Sequence, residues 1–404
     1  MVESISKMAQ GKRKGLKKVK YGIIAVGYNR PDSLHRLIES IVSAEYGSED
    51  IDLIISIDKS SNQDQVVEAV NSTSWRHGEF KLIQREARMG LRNHILSCGD
   101  MVEQYDAIVV LEDDLVLSPF FFDYVKETVS KYLEDSRVGG ISLYKHETHP
   151  GVHRPFVPDC NGFDAYMMQF AQSWGQCWPK AMWRGFKKWY IENENADLGR
   201  DSTLPAYIAS WNAQSWLKYF MRYLVETDKY FVYPYVSLST NASDVGEHNT
   251  NANNDYQVPL LAGCKHYRLP DYNEAVRYDV YFERQDIGEQ IFVEYEGKKI
   301  LDFYGQKRDF DGAKYLISTQ SLPYKVEKAF QIKFRPQEQN CFHPENGKDV
   351  FLYNLTGKGE KPVTNPINLT RYDVRAISWK RLLQLGFHGF WVALRIKMGR
   401  IIKR

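Results

Sequence analysis

The stretch "IVVLEDDLVLSPFF", Ile108 to Phe121, sets three consecutive acids, Glu112, Asp113 and Asp114, between two apolar runs. Carboxylates that converge at the end of a buried run suit a hard divalent cation. Mg²⁺ and Mn²⁺ prefer oxygen ligands and commonly keep part of their shell for substrate phosphates. The other reading is a solvated turn, or a cap for the helix that "SPFFFDYVKETVSKYL" predicts.

The elements around the triplet favour the first reading. In "KYGIIAVGYNR", Ile23 to Val26 form a short apolar run that ends at a glycine and a polar turn, the pattern of a buried strand. "RPDSLHRLIESIVSA" follows with Leu34, Leu37, Ile38, Ile41 and Val42 at helical spacing, and Pro31 and Asp32 suit a helix start. "IDLIISID" predicts a second strand ending in Asp58; "NQDQVVEAVNST" a helix; "FKLIQRE" a strand; "NHILSCGDMVEQ" a helix; and "DAIVVLEDD" a fourth strand. This β-α-β-α-β-α-β order indicates an α/β fold with a parallel sheet covered by helices. Such sheets bind ligands at the carboxyl ends of their strands, and the acid triplet ends one of them.

With these motifs in place, residues 20 to about 250 resemble a GT-A-fold glycosyltransferase. The resemblance is to the bacterial family-2-like transferases of surface polysaccharide synthesis and their relative N-acetylglucosaminyltransferase I. "VVLEDDLVLSPFFFDY" is similar to the E-D-D form of the D-x-D motif, "AVGYNRPDSLHRLIESI" to the first strand and helix, "SIDKS" to the uridine-facing strand end, and "REARMGLRNHI" to the nucleotide-side loop. "SWGQCWPKAMWRGF" resembles the Trp-Gly acceptor-side segment, and "YPYVSLSTNASDVGEHN" the closing strand with a Gly-x-His element.

The resemblance implies a Rossmann-like mixed, mostly parallel sheet and a metal-dependent, inverting transfer from a nucleotide-sugar donor, UDP-linked. It implies that Asp114 binds Mn²⁺ or Mg²⁺ and that Asp113 and Glu112 contact ribose or sugar hydroxyls. Asp58 would accept from uracil or ribose, and Tyr28, Asn29 and Arg30 would line the base and diphosphate side. Arg88 is either a phosphate partner or a solvated arginine beside Arg85 and Arg92. His248 would be a further metal ligand or a diphosphate contact, where a lone loop histidine is otherwise neither. A sugar nucleotidyltransferase is the rival enzyme class, but the first strand lacks its glycine-rich phosphate loop.

On the acceptor side, Trp174 and Gly175 are assigned to the sugar, because aromatic faces suit the apolar faces of sugar rings. Trp178, Met182 and Phe186 fall at helical spacing and are expected in the core. An inverting transferase needs an Asp or Glu general base. "SWNAQSW" resembles a W-D-x-Q-W element yet carries Asn212, which cannot remove a proton and either orients the acceptor or caps a helix. Asp201, Asp228 and Asp244 are the candidate bases, Asp201 first because it lies in the loop before this segment. A non-catalytic protein that binds sugar nucleotides stays open on the strength of Asn212.

Composition limits the rest. The 404 residues are 43% hydrophobic and 26% charged, enough for a large core in more than one domain. A net charge of +2 gives no global argument for nucleic acid. Five widely spaced cysteines without a C-x-x-C pair argue against a disulfide framework or a zinc site and suggest a reducing compartment. No apolar run is of bilayer-spanning length, and the N-terminus is a cationic arm rather than a signal peptide.

The expected division is a basic arm over 1–19, a transferase domain over 20–262, a small β-rich module over 263–370 and a basic amphipathic tail over 371–404. The module is expected from alternating runs such as "EAVRYDVYFERQDIGEQIFVEYEGKKILDFYG", read as antiparallel strands or hairpins. Its His343 and Cys341 are expected to pack rather than bind. The last 27 residues hold seven Lys or Arg and no acid, with Trp379, Leu382, Leu383, Phe390, Leu394 and Ile401 near helical spacing, although Gly386 and Gly389 weaken the helix. Such a tail suits a cytoplasmic protein in peripheral contact with the anionic inner face of the cell membrane, where a lipid-linked saccharide acceptor would lie.

Overall fold

The computed structural model describes residues 19–200, 203–244, 254–310, 312–375 and 377–402. The chain divides into two compact units, 1–288 with 306–311, and 289–305 with 312–404.

The first unit begins with β1 (Tyr21–Gly27), α1 (Pro31–Val42), β2 (Ile51–Ile57), α2 (Gln63–Asn71), β3 (Phe80–Gln84), α3 (Gly90–Asp100) and β4 (Ala107–Glu112). These are the alternating elements that the hydrophobic pattern predicts. β1 pairs in parallel with both β2 and β4, and β2 with β3. The chain therefore winds outward from β1 to β3 and then returns to β1's other side, which creates a switch point between β1 and β4.

β5 (Leu115–Leu117), α4 (Phe121–Tyr132), β6 (Val138–Ser142), a small pair β7 (Thr148–His149) and β8 (Arg154–Pro155), β9 (Ala165–Met168) and β10 (Gln176–Pro179) come next. Then follow α5 (Lys180–Asn193), α6 (Ala206–Ala209), α7 (Trp216–Glu226), β11 (Tyr230–Pro234), β12 (Ser239–Asn241) and β13 (Arg277–Tyr278). The nine-stranded sheet has the order β13-β9-β11-β6-β10-β4-β1-β2-β3. β10 runs antiparallel to β4 and β6, and β9 to β11, while the other pairs are parallel. The fold is thus α/β with a mixed, mostly parallel sheet.

Both faces are covered, so β1, β2 and β4 are buried along nearly their whole length and alternation is absent from their sequences. One face packs Ile23, Ala25, Leu53, Ile55, Val109 and Leu111 against Leu34, Leu37 and Ile41 of α1 and Phe121, Phe122 and Val125 of α4. The other carries Trp178 into an aromatic layer shared with α5 and α7. Trp178 stacks on Phe220 at 5.8 Å, Phe220 on Phe186 at 4.0 Å, and Trp183 lies 4.5 Å from Trp178. The stripe of Trp178, Met182 and Phe186 is core, as its spacing predicts.

The second unit holds β14 (Lys299–Asp302), β15 (Tyr315–Ser318), β16 (Tyr324–Phe330), α8 (Gln339–Phe342), β17 (Val350–Lys358), α9 (Pro366–Val374) and α10 (Trp379–Ile402). Its sheet is ordered β14-β15-β17-β16, with β14 and β15 parallel and the other pairs antiparallel.

Three departures from the sequence reading are physical. Residues 263–288, expected in the β-rich module, belong to the first unit, where β13 adds to the large sheet beside β9. The alternating stretch 274–298 forms turns apart from β13. Its apolar residues Phe282, Ile287, Ile291 and Phe292 are buried without a ladder, and Phe282 and Phe292 have φ of 63° and 47°, which strand pairing forbids. In the tail, Gly386 and Gly389 do not interrupt the helix: α10 is continuous.

Candidate functional site

Register alone brings the polar strand ends together. Val26 of β1 lies opposite Glu112 of β4, and Gly27 opposite Ile57 of β2. The residues just beyond, Tyr28 to Arg30, Asp58, and Asp113 with Asp114, emerge at one edge of the sheet. There they line a cavity of about 150 Å³ together with Arg88, Gly90, Leu91, His94, Glu112 and Asp244. All eight residues assigned to the donor side from the sequence line this cavity: Tyr28, Asn29, Arg30, Asp58, Arg88, Glu112, Asp113 and Asp114.

The acids are neutralised from the first strand. Arg30 donates to Asp113 through Nε at 3.3 Å and through Nη2, and Nη2 also lies 3.4 Å from Asp114 Oδ2. Burial opposes the charge of Arg30, but Asp113 and Asp114 outweigh it and hold the guanidinium more firmly protonated than an ordinary arginine. Burial pushes Asp113 up to about 6, with Arg30 pulling the other way. Glu112 is pushed up to about 8 by burial, with Asp114 and Asp113 adding to the effect against Arg30.

Asp114 supplies the test for a metal. Its Oδ1 is buried with no hydrogen-bond partner, an unsatisfied carboxylate oxygen on the cavity wall. Among the described residues no three His, Cys, Asp or Glu side chains gather into a metal-binding group. The fit is to an ion held by one carboxylate with most of its shell left for water and phosphate, as Mg²⁺ allows.

Asp58 has a structural duty as well. Its Oδ1 accepts from the amides of Lys59 and Met89 at 2.9 and 2.8 Å, and Oδ2 from that of Gly90 at 2.9 Å. The carboxylate thus ties the end of β2 to the start of α3, and Gly90 takes the left-handed φ of 75° that this tie requires. Arg88, in the loop so anchored, is exposed, and its guanidinium lies 4.9 Å from the centre of the Tyr28 ring.

Two polar side chains of the lining, His94 and Asp244, are not assigned to the donor side from the sequence. His94 is buried on α3, with Nε2 2.8 Å from Ser56 Oγ; burial lowers it to about 4, so a neutral imidazole forms this wall. The only signal was its place in the loop-to-helix string, which is not enough to name it. Asp244, considered only as a base, accepts from Ser33 Oγ at 2.8 Å and from Arg36 on α1. Burial raises its pKa, but the bonds from Arg36 and Ser33 outweigh that and hold the carboxyl below the usual range. Asp244 reaches the cavity because β12 pairs with β5 and Ala242 donates to the Asp114 carbonyl at 2.7 Å. The preceding Ser243 is buried with φ of 55°, a strained conformation of the kind found beside ligand sites.

Other expected residues stand elsewhere. Asp201 and His248 lie outside the described residues. Asn212 is exposed, and its Oδ1 accepts from the Gln214 amide at 2.8 Å, a local turn bond away from the cavity. Asp228 precedes β11, at the opposite edge of the sheet, and holds Gln169 at 2.9 Å. Trp174 is half-buried against Tyr144 and Tyr256, with ring centres 4.8 and 4.7 Å away, and does not line the cavity. Gly175 has φ of 92° and sits where a Cβ would come within 3.0 Å of Ser239 Oγ, so its place is a turn packed behind β12.

A second cavity of about 570 Å³ opens beyond α3, lined by Arg92, Leu198, Gly199, Trp211, Lys218 and Tyr219 among others. Arg92 follows directly on Leu91 of the first cavity. It donates to the carbonyls of Glu194 and Ala213, and Lys218 to those of Ala209 and Trp211, so the two cations fix the walls.

No protein-family model matches the chain, and no curated protein matches it in sequence. Solved structures that share part of its shape include the 1–349 fragment of S. aureus TarS in complex with UDP-GlcNAc, at 14% identity, TM-score 0.37, covering 58% of this chain and 61% of that one. The same fragment with UDP aligns at 14% identity and TM-score 0.33, over 53% and 60%. The mannosyltransferase PcManGT from Pyrobaculum calidifontis, in complex with GDP-Man and Mn²⁺, aligns at 11% identity and TM-score 0.30, over 46% and 53%. The aligned part thus spans less than two thirds of each of these chains.

Proposed function

We propose that the first unit is a metal-dependent glycosyltransferase of GT-A type. It takes a sugar from a UDP-linked donor and passes it, with inversion, to a saccharide or lipid-linked saccharide acceptor in bacterial surface polysaccharide synthesis. One observation carries the reading: the three acids, Asp58, the Tyr28–Arg30 turn and Arg88 converge on a single cavity at the sheet's switch point.

The cavity divides the work among its residues. The turn after β1 and Asp58 face the nucleoside. Arg88, exposed on the rim, is placed to pair with a phosphate. Asp114 Oδ1 is the oxygen that would hold Mn²⁺ or Mg²⁺. When bound, the cation supplies Lewis-acid stabilisation of the charge that gathers on a departing diphosphate. Glu112 contacts a hydroxyl of the donor sugar, and Arg30 keeps Asp113 in position beside it.

An inverting transfer also needs a base on the acceptor hydroxyl. Asp244 is held ionised below the ordinary carboxylate range and is a weak base there, and Asp228 is at the wrong edge. Asp201 is the proposed base, and the neighbouring Leu198 and Gly199 line the second cavity, which is the proposed acceptor side. Asn212, a turn residue, weighs neither for nor against catalysis.

The test is release of sugar from UDP-linked donors by the wild type and by Asp114→Ala, in Mn²⁺ and in EDTA. The reading expects turnover that needs both Mn²⁺ and Asp114. Equal turnover by wild type and variant in both media would overturn it.

A further inference from the structure

The last helix, α10, carries large apolar side chains that are exposed. Arg381, Gln384, His388 and Arg395 recur at intervals of three, four and seven residues and form one polar stripe. Between Leu382 and Leu394 every residue other than Gln384 and His388 is apolar or glycine, and the large apolar side chains of the helix are open: Trp379 is 52% exposed, Leu383 75%, Phe387 62% and Phe390 61%. A contiguous apolar surface of this kind marks an interaction site.

Charge identifies the occupant. α10 carries Lys380, Arg381, Arg395, Lys397 and Arg400, and the sequence has no acid after Asp373. A second copy would set these cations against their like, whereas an anionic surface complements them. Length sets the orientation. The uncharged run Leu382–Leu394 is 13 residues, about 20 Å of helix against about 30 Å of hydrocarbon. No helix among the described residues is long and apolar enough to cross a membrane.

We propose that α10 lies in the plane of an anionic phospholipid bilayer. Trp379, Leu383 and Phe390 enter the acyl boundary, and the cations at both ends of the helix meet the headgroups. The inference goes beyond the catalytic reading and does not depend on it.

The experiment is co-sedimentation of the full chain with phosphatidylcholine vesicles, with and without phosphatidylglycerol. The wild type is expected to pellet with the anionic vesicles and to lose binding as salt rises. Leu383→Glu with Phe390→Glu should weaken binding about ten-fold or more. Arg381→Ala with Arg395→Ala keeps the apolar face and should weaken it roughly five-fold per cation. Equal pelleting of the wild type and the Leu383→Glu, Phe390→Glu variant would overturn the proposal, and so would equal binding to both vesicle types. A wild-type dimer in sedimentation velocity that ignores vesicles, and that the same variant turns to monomer, would overturn it in favour of a second copy.

Discussion

The carboxyl edge of β1, β2 and β4 and the aromatic layer under α5 and α7 both hold residue types that bind sugars and nucleotides, yet the fold puts them to opposite uses. At the edge, Tyr28, Asp58 and the acid triplet follow directly on buried strands, and parallel register leaves them nowhere to go but the cavity. In the layer, Trp178, Trp183 and Trp216 lie on a strand and two helices, and their periodicity turns them inward until they are fully buried. A polar residue that ends a buried parallel strand is therefore informative about a site, whereas an aromatic at helical spacing is informative about the core.

The sharpest way to break this contrast is Asp114→Ala. The loss of its unpartnered oxygen should cut donor turnover by about three orders of magnitude and abolish Mn²⁺-dependent UDP binding, with melting unchanged. Trp178→Ala should do the reverse: a loss of about 3–5 kcal/mol of stability by urea unfolding, with UDP affinity kept in the folded fraction. Lost affinity at unchanged stability would make the aromatic layer a site after all.

Acid lability sets the cavity wall against a separate buried cluster, in which the His146 ring lies 5.2 Å from Phe282 and the His149 ring 4.6 Å from it. Burial lowers His94 to about 4 and His146 and His149 to about 3, from an ordinary 6.5. The unfolded chain therefore binds protons first. The stability due to each neutral imidazole is full above pH 6.5 and is lost as pH falls toward those values. Each contributes a slope of about 1.4 kcal/mol per pH unit in that window. Urea midpoints should drop between pH 7 and pH 4.5, and His94→Asn at the cavity wall should remove its share of the slope. Flat midpoints would contradict these directions.

The smallest effect belongs to Asn212→Ala. Loss of the bond to the Gln214 amide should cost about 1 kcal/mol or less and leave UDP affinity unchanged. A large fall in turnover would instead give Asn212 a place on the acceptor.

Much of the donor side was legible because it rests on local order: β1 to β4 alternate with helices, and each strand announces its end. What escaped depends on distant pairing. Asp244 reaches the cavity through Ser33, 211 positions earlier in sequence, and no local pattern encodes that contact. The antiparallel entry of β10 between β4 and β6, and the addition of β13 to the far edge, are likewise set by tertiary packing. In the stretch 274–298 the alternation of apolar residues imitated strands, but Phe282 and Phe292 are buried from turns at positive φ.

The central claim is that the strand-end cavity binds a nucleoside diphosphate through a metal held by Asp114. Calorimetric titration of UDP, GDP and CDP into the full chain, with and without Mn²⁺, tests it most directly. The account predicts UDP binding that appears only with Mn²⁺ and vanishes in Asp114→Ala; no heat from any of the three nucleotides in either condition would contradict it.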